Sequence, residues 1–257
     1  MTDLHSRFVW YELMTTDPGA AKAFYGEVVG WGTQDVPMPS MTYTLFTVGE
    51  THVSGLMELP EEARNMGAPP SWIGYVAVTD VDAAAEQVKR LGGTVHVQPR
   101  DIPDVGRFAI IADPQGSTLA LFKSSNPAQD QPPEPGTPGR TGWHELLASN
   151  WEAAFAFYGE LFGWQKADAI PMGEMGVYQL FSAGGPAIGG MFTKPPMIPV
   201  PFWLYYFNVG DIDAAATRVT AAGGEILNGP MQVPGGSWIV QCRDPQGALF
   251  ALVGTRG

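Results

Sequence analysis

Trp10 and Glu12 stand two apart in FVWYELM, and Trp143 and Glu145 stand two apart in TGWHELL. In an extended strand that spacing puts both side chains of a pair on one face. An indole beside a carboxylate can stack a planar ring and accept a hydrogen bond from a donor on it. The carboxylate could also serve as a general base, so Glu12 and Glu145 are the candidate catalytic residues. Burial there would raise the carboxyl pKa above about 4.3 unless an arginine or backbone amides offset the desolvation. The plainer alternative is that the tryptophans fill space and each glutamate accepts from neighbouring backbone. Trp72 and Trp203 open later strands and are candidates either for the same ligand-facing surface or for core.

Other chemistry is thinly represented. The four histidines are His5, His52, His96 and His144. Only His144 adjoins a Trp/Glu pair, and strand alternation turns it to the other side. No two histidines have the helical or shared-strand spacing of a metal site. The single Cys242 permits no internal disulfide, and its strand-like surroundings read as core rather than nucleophile. Ser71, Ser117 and Ser237 have no histidine at recognisable spacing. GGPAIGG at 184–190 lacks the Lys-Ser/Thr of a phosphate loop and reads as a turn.

Composition narrows the partners. Of 257 residues, 45% are hydrophobic and 16% charged, which is enough apolar material for packed cores. Fourteen basic against 26 acidic side chains give a formal net charge of −12, with no basic cluster, so nucleic acid and anionic membrane are poor partners. No apolar run approaches the ~20 residues of a membrane span, and the start carries no signal-peptide pattern. The expectation is a cytoplasmic protein whose partner is a small molecule. Thirty-two Gly and 23 Pro point to many turns and short elements.

The elements that position the pairs repeat. At an offset of 133, Trp10, Glu12, Phe24-Tyr25-Gly26-Glu27 and Gly30-Trp31 match Trp143, Glu145, Phe157-Tyr158-Gly159-Glu160 and Gly163-Trp164. At an offset of 131, Asp80-Val81-Asp82-Ala83-Ala84-Ala85 matches Asp211-Ile212-Asp213-Ala214-Ala215-Ala216, and Asp113-Pro114-Gln115-Gly116 matches Asp244-Pro245-Gln246-Gly247. Between the halves, SSNPAQDQPPEPGTPGR carries five prolines and reads as a linker. The domains are therefore 1–123 and 141–257, with 124–140 between them. Within the first half, strands are expected at 8–14, 31–36, 42–48, 52–59, 72–79, 94–98, 107–112 and 118–123. Asp17-Pro18 and Asp80 or Asp82 open helices whose apolar faces are Ala21, Phe24, Tyr25, Val28 and Val81, Ala84, Ala85, Val88, Leu91. The fold class is α+β, with two tandem domains, each a pair of βαβββ motifs.

That order, with FYxxxxGW after a capped helix and DPxG near the end, resembles the vicinal oxygen chelate superfamily of glyoxalase I, bleomycin-resistance proteins and extradiol dioxygenases. The WxEL…AFYGxxFGW pattern and Pro-rich linker look like its tandem glyoxalase-like group, which carries a hydroxylase label. The resemblance implies that paired motifs wrap a mixed sheet with flanking helices into a cup. It places metal ligands at Trp10 and Trp143, Gly74 and Tyr205, Ala120 and Ala251, and loosely at Met57 or Glu58 and Met191 or Phe192. Of these only Glu58 could coordinate, so neither a metal nor another cofactor is expected.

Three readings follow. The leading one is a metal-independent cup that binds a small aromatic or conjugated molecule through Trp10, Glu12, Trp72, Trp143, Glu145 and Trp203. The second is a glyoxalase-like lyase or isomerase, or a hydroxylase or dioxygenase on a small carbonyl or phenolic substrate, with Glu12 or Glu145 as base. The third is a non-catalytic interaction protein whose cups are filled by side chains. The halves could pair as an internal pseudo-dimer in a monomer, or the chain could form a homodimer.

Overall fold

The computed structural model describes residues 5–38, 41–65, 67–126 and 136–257. The first repeat runs β1 (Phe8–Thr15), α1 (Pro18–Val29), β2 (Gly32–Pro37), β3 (Thr42–Val48), β4 (Thr51–Glu58), α2 (Glu61–Asn65), β5 (Ser71–Ala77), α3 (Val81–Arg90), β6 (Thr94–Ile102), β7 (Gly106–Ala112) and β8 (Thr118–Ser124). The second runs β9 (Thr141–Ala148), α4 (Trp151–Phe162), β10 (Gln165–Pro171), β11 (Val177–Ser182), β12 (Ala187–Thr193), β13 (Phe202–Asp211), α5 (Ile212–Ala221), β14 (Glu225–Gln232), β15 (Trp238–Arg243) and β16 (Leu249–Thr255). The eight strands of each repeat form one mixed sheet, in the orders β2-β3-β4-β1-β5-β8-β7-β6 and β10-β11-β12-β9-β13-β16-β15-β14. Each βαβββ motif closes with a parallel pairing of its first and last strands, as in β1 with β4 and β5 with β8. Residues 127–135 of the expected linker lie outside the described residues. The short α2, an acidic single turn, was not expected.

The helices start where capping chemistry puts them. Asp17, Asp80, Asn150 and Asp211 each accept, at 2.7–2.9 Å, the backbone N–H three residues on. Gly30 and Gly163 end α1 and α4 at φ 86° and 71°, a left-handed conformation that disfavours a side chain. Among the described residues no helix is long and apolar enough to cross a membrane.

By packing, the chain divides into two compact units. One comprises Met1–Val9, Gly74–Pro132 and His144–Trp203; the other comprises Trp10–Ile73, Pro133–Trp143 and Leu204–Gly257. Each has the same kind of core. In the first unit, Trp203 Nε1 donates to Tyr158 Oη at 3.1 Å, and Tyr158 Oη donates to Asp113 Oδ2 at 3.1 Å. In the second, Trp72 Nε1 donates to Tyr25 Oη at 2.9 Å, and Tyr25 Oη donates to Asp244 Oδ2 at 3.0 Å. The other oxygen of each aspartate accepts two backbone N–H groups, one from the glutamine of its own DPQG turn and one from the residue after the turn. Burial raises the pKa of both aspartates, and these hydrogen bonds only partly oppose it. A fully partnered chain of this kind is what lets polar groups sit in an aromatic core.

Candidate functional site

Glu12 is 8% exposed on β1, and its Cα pairs with that of Gly55 on β4. Across the sheet, Tyr43 of β3 donates its hydroxyl to Glu12 Oε2 at 2.7 Å. Trp10 Nε1 in turn donates to Tyr43 Oη at 3.2 Å. The phenol reaches the carboxylate because Gly55 has no side chain: a β-carbon there would collide with the Tyr43 hydroxyl and ring. Burial, then the neighbouring Glu12 carboxylate, push the Tyr43 pKa well up, so the phenol stays protonated and keeps donating. The result, in the second unit, is an indole, a phenol and a carboxylate joined on one sheet face.

The first unit repeats the pairing. Glu145 of β9 is 7% exposed and pairs in register with Gly190 of β12. Tyr178 of β11 donates to Glu145 Oε2 at 3.0 Å, and a β-carbon on Gly190 would collide with the Tyr178 ring. Trp143 precedes Glu145 by two on β9 and is half-buried. The tyrosines were not among the expected residues. Their signal is the shared Tyr-x-Leu-Phe of 43–46 and 178–181, which carries the same offset of 135 as Gly55 and Gly190.

Trp72 and Trp203, expected as ligand-binding candidates, lie elsewhere. Tyr43 and Phe46 are three apart on β3 and so face opposite ways. Tyr43 meets Glu12, whereas Phe46 packs with Trp72, Trp31 and Tyr25 under helix α1. In the first unit Tyr178 and Phe181 part in the same manner, with Phe181 against Trp164 and Trp203. Both tryptophans thus belong to the helix-covered face, because the Trp–Tyr–Asp chains hold their indole N–H groups there.

The register also moves one expected ligand position. Ala120 and Ala251 pair with Tyr75 and Tyr206, not with Gly74 and Tyr205. Tyr75 lies 6.4 Å from Phe108 and 6.1 Å from Phe122, ring centre to ring centre. Tyr206 accepts from Gln241 Nε2 at 2.8 Å.

Of the other reactive groups, His144 and Cys242 are buried. His144 stacks on Phe8 at 4.0 Å and shares a 2.6 Å hydrogen bond with the Ile188 carbonyl. Its burial lowers its pKa to about 4, so it is neutral at pH 7. Desolvation pushes the Cys242 thiol up to about 12, well away from a reactive thiolate. His5, His52 and His96 are exposed.

These residues do not fit a divalent cation. An indole N–H is a donor without a lone pair, a protonated phenol is a poor ligand, and each group supplies a single carboxylate. Among the described residues no three His, Cys, Asp or Glu side chains come together as a metal site would require.

Comparisons with known proteins agree with this architecture. A family model described as the glyoxalase/bleomycin resistance protein/dioxygenase superfamily matches residues 7–121 and 140–252. A Mycobacterium tuberculosis protein named "Putative glyoxylase CFP32" is 36% identical over 249 residues, covering 95% of this chain and 93% of the relative. The anthracycline biosynthesis protein DnrV of Streptomyces peucetius is 30% identical over 260 residues, covering 96% and 92%. Among solved structures, the Mn(II)-bound glyoxalase from Novosphingobium aromaticivorans superposes with a TM-score of 0.64 at 19% identity, over 99% of this chain and 83% of that one. The 2,3-dioxygenase LapB from Pseudomonas sp. KL28 gives 0.67 at 11% identity, over 99% and 94%. At these identities the structures speak for the fold alone.

Proposed function

The chain belongs to the glyoxalase/bleomycin resistance protein/dioxygenase superfamily, and from that premise we propose that it binds a small, planar, conjugated molecule without a metal. The Glu12–Tyr43 and Glu145–Tyr178 pairs anchor the ligand, and the Trp10 indole, hydrogen-bonded to Tyr43, supplies a stacking surface beside the first. One observation carries this reading: the same phenol-to-carboxylate hydrogen bond, seated over a glycine, recurs in both repeats. A carboxylate aimed by a protonated phenol accepts from a ligand hydroxyl or N–H, while an indole face holds the ring. Hydroxylated fused rings have that chemistry, and relatives named for anthracycline biosynthesis support the choice.

A second reading takes its support from the mycobacterial relative's name: a glyoxalase-like lyase or isomerase with Glu12 or Glu145 as base. We prefer binding, because His144, next to Glu145 in the chain, is turned to the opposite face of β9 and stacks on Phe8. We place the protein in the cytoplasm on its acidic composition and single cysteine.

Calorimetric titration with 1,2-dihydroxyanthraquinone in the presence of EDTA tests the proposal. Saturable binding unchanged by EDTA is the expected result. Binding that appears only on adding Ni, Zn or Fe would contradict it.

A further inference from the structure

The two repeats carry corresponding cross-strand rows on the helix-free faces of their second βαβββ motifs. In the first repeat the row is Val97, Ile110, Ala120 and Tyr75, each the register partner of the next across β6, β7, β8 and β5. In the second it is Asn228, Gln241, Ala251 and Tyr206 across β14, β15, β16 and β13. Alanine and tyrosine are retained at the offset of 131, whereas the Val–Ile pair has become Asn–Gln.

Each row lies opposite its helix. Ile111 and Ala109, either side of Ile110, are fully buried on β7, and α3 packs on that strand. Val240 and Cys242, either side of Gln241, are fully buried on β15, and α5 packs there. The small alanine in the middle lets Gln241 Nε2 reach over it to Tyr206 Oη at 2.8 Å. Asn228 Nδ2 completes the row by donating to Gln241 Oε1 at 3.3 Å. In the first repeat Tyr75 meets Phe108 and Phe122, with the Arg100 guanidinium 4.9 Å above the Phe108 ring.

We infer that the repeats are not duplicate sites: the Asn228–Gln241–Tyr206 row selects a ligand edge with a hydrogen-bond donor beside an acceptor, and the Val97–Ile110–Tyr75 row takes an apolar ring edge. The Asn228 and Gln241 carboxamides set donors beside acceptors along the row, so a ligand edge laid against them is matched by one that carries both. A site built to hydrogen-bond a group rejects the analogue lacking it far more strongly than an apolar surface rejects a hydroxyl. This cross-strand pair, with Gln241 half-buried and Asn228 exposed, has no fold requirement for two amides, since valine and isoleucine occupy the same positions in the first repeat. Vicinal hydroxyl and quinone oxygens on a fused ring are the matching chemistry for the second repeat. This inference rests on the ligand-binding reading above.

The test compares 1,2-dihydroxyanthraquinone with 9,10-anthraquinone, its hydroxyl-free parent, by calorimetry. Wild type should show two classes of site, both favouring the dihydroxy compound through Glu12 and Glu145, with one class carrying a further preference of about tenfold or more. Gln241→Ile and Asn228→Val each install the first repeat's residue. Either should remove most of that preference while leaving anthraquinone affinity within about twofold. Circular dichroism and melting confirm that the variants are folded, and the exposed Asn228 position guards against a purely structural loss at Gln241. Ile110→Gln should raise the preference in the other class. If Gln241→Ile and Asn228→Val weaken both probes equally, or leave the preference intact, the inference fails and the binding reading stands. If wild type binds neither probe, the binding reading fails and takes the inference with it.

Discussion

Tyr43 lies against the Cα of Gly55 so closely that no β-carbon fits beneath its phenol. That contact sets the position of the hydroxyl that Glu12 accepts, so the glycine is part of the site without touching a ligand. Gly190 holds the same relation to Tyr178 and Glu145. Gly55→Ala should displace Tyr43, lower the melting temperature by several degrees and weaken dihydroxyanthraquinone binding by about tenfold, as expected for one lost charge-assisted hydrogen bond. Titration and a thermal melt of the same preparation check this. An unchanged affinity would separate Tyr43 from the ligand.

The Trp–Tyr–Asp chains should behave in the opposite way. Tyr158→Phe deletes a hydrogen bond to the buried Asp113 and strips Trp203 Nε1 of its acceptor. A loss of about 1–3 kcal/mol in unfolding free energy is expected, with ligand affinity unchanged. Denaturant unfolding beside a titration measures both. A large loss of affinity in a folded Tyr158→Phe protein would return Trp203 to the ligand-binding set.

His144 links the first unit to pH. Its folded pKa is depressed to about 4 by burial, while the unfolded chain takes up the proton near 6.5. The unfolded state thus binds more protons between these values, and the neutral histidine's contribution, complete above pH 6.5, is lost as pH falls toward 4. Asp113 and Asp244, whose folded pKa values are raised, act with the opposite sign, losing stability as pH rises above the ordinary aspartate range. Comparing wild type with His144→Phe at pH 7.5 and 4.5 isolates the histidine. The variant should lose less stability on acidification, and an equal loss in both proteins would contradict this origin.

The βαβββ order was legible because the repeat supplies each motif twice and because capping residues and glycines mark the helix ends by local chemistry. Asp17-Pro18, and the Asp80 or Asp82 choice for the second helix, needed nothing beyond the next three residues, and Asp80 is the residue that caps. Trp10 and Glu12 were legible as a same-face pair for a similar reason, since alternation is local. Tyr43 was not, because its bond to Glu12 spans 31 residues and depends on β3 pairing with β4 and on the gap at Gly55. Trp72 was given a possible ligand-facing role because nothing in its own strand says which face a helix covers; Tyr25 and Asp244 decide that. The ligand position expected at Gly74 falls on Tyr75 by a single residue of register, which inverts a strand's faces.

The central claim is that Glu12 and Glu145 anchor a planar, hydroxylated ligand without a metal. It is tested most directly by measuring the Kd of 1,2-dihydroxyanthraquinone, in EDTA, for wild type, Glu12→Gln, Glu145→Gln and the double variant. Removing a charged acceptor of a ligand hydroxyl costs about 1.5–3 kcal/mol, or roughly ten- to a hundredfold in affinity. The account predicts that each single variant weakens one class of site by that factor and that the double variant weakens both, with all proteins folded. Wild-type affinity in the double variant would contradict it.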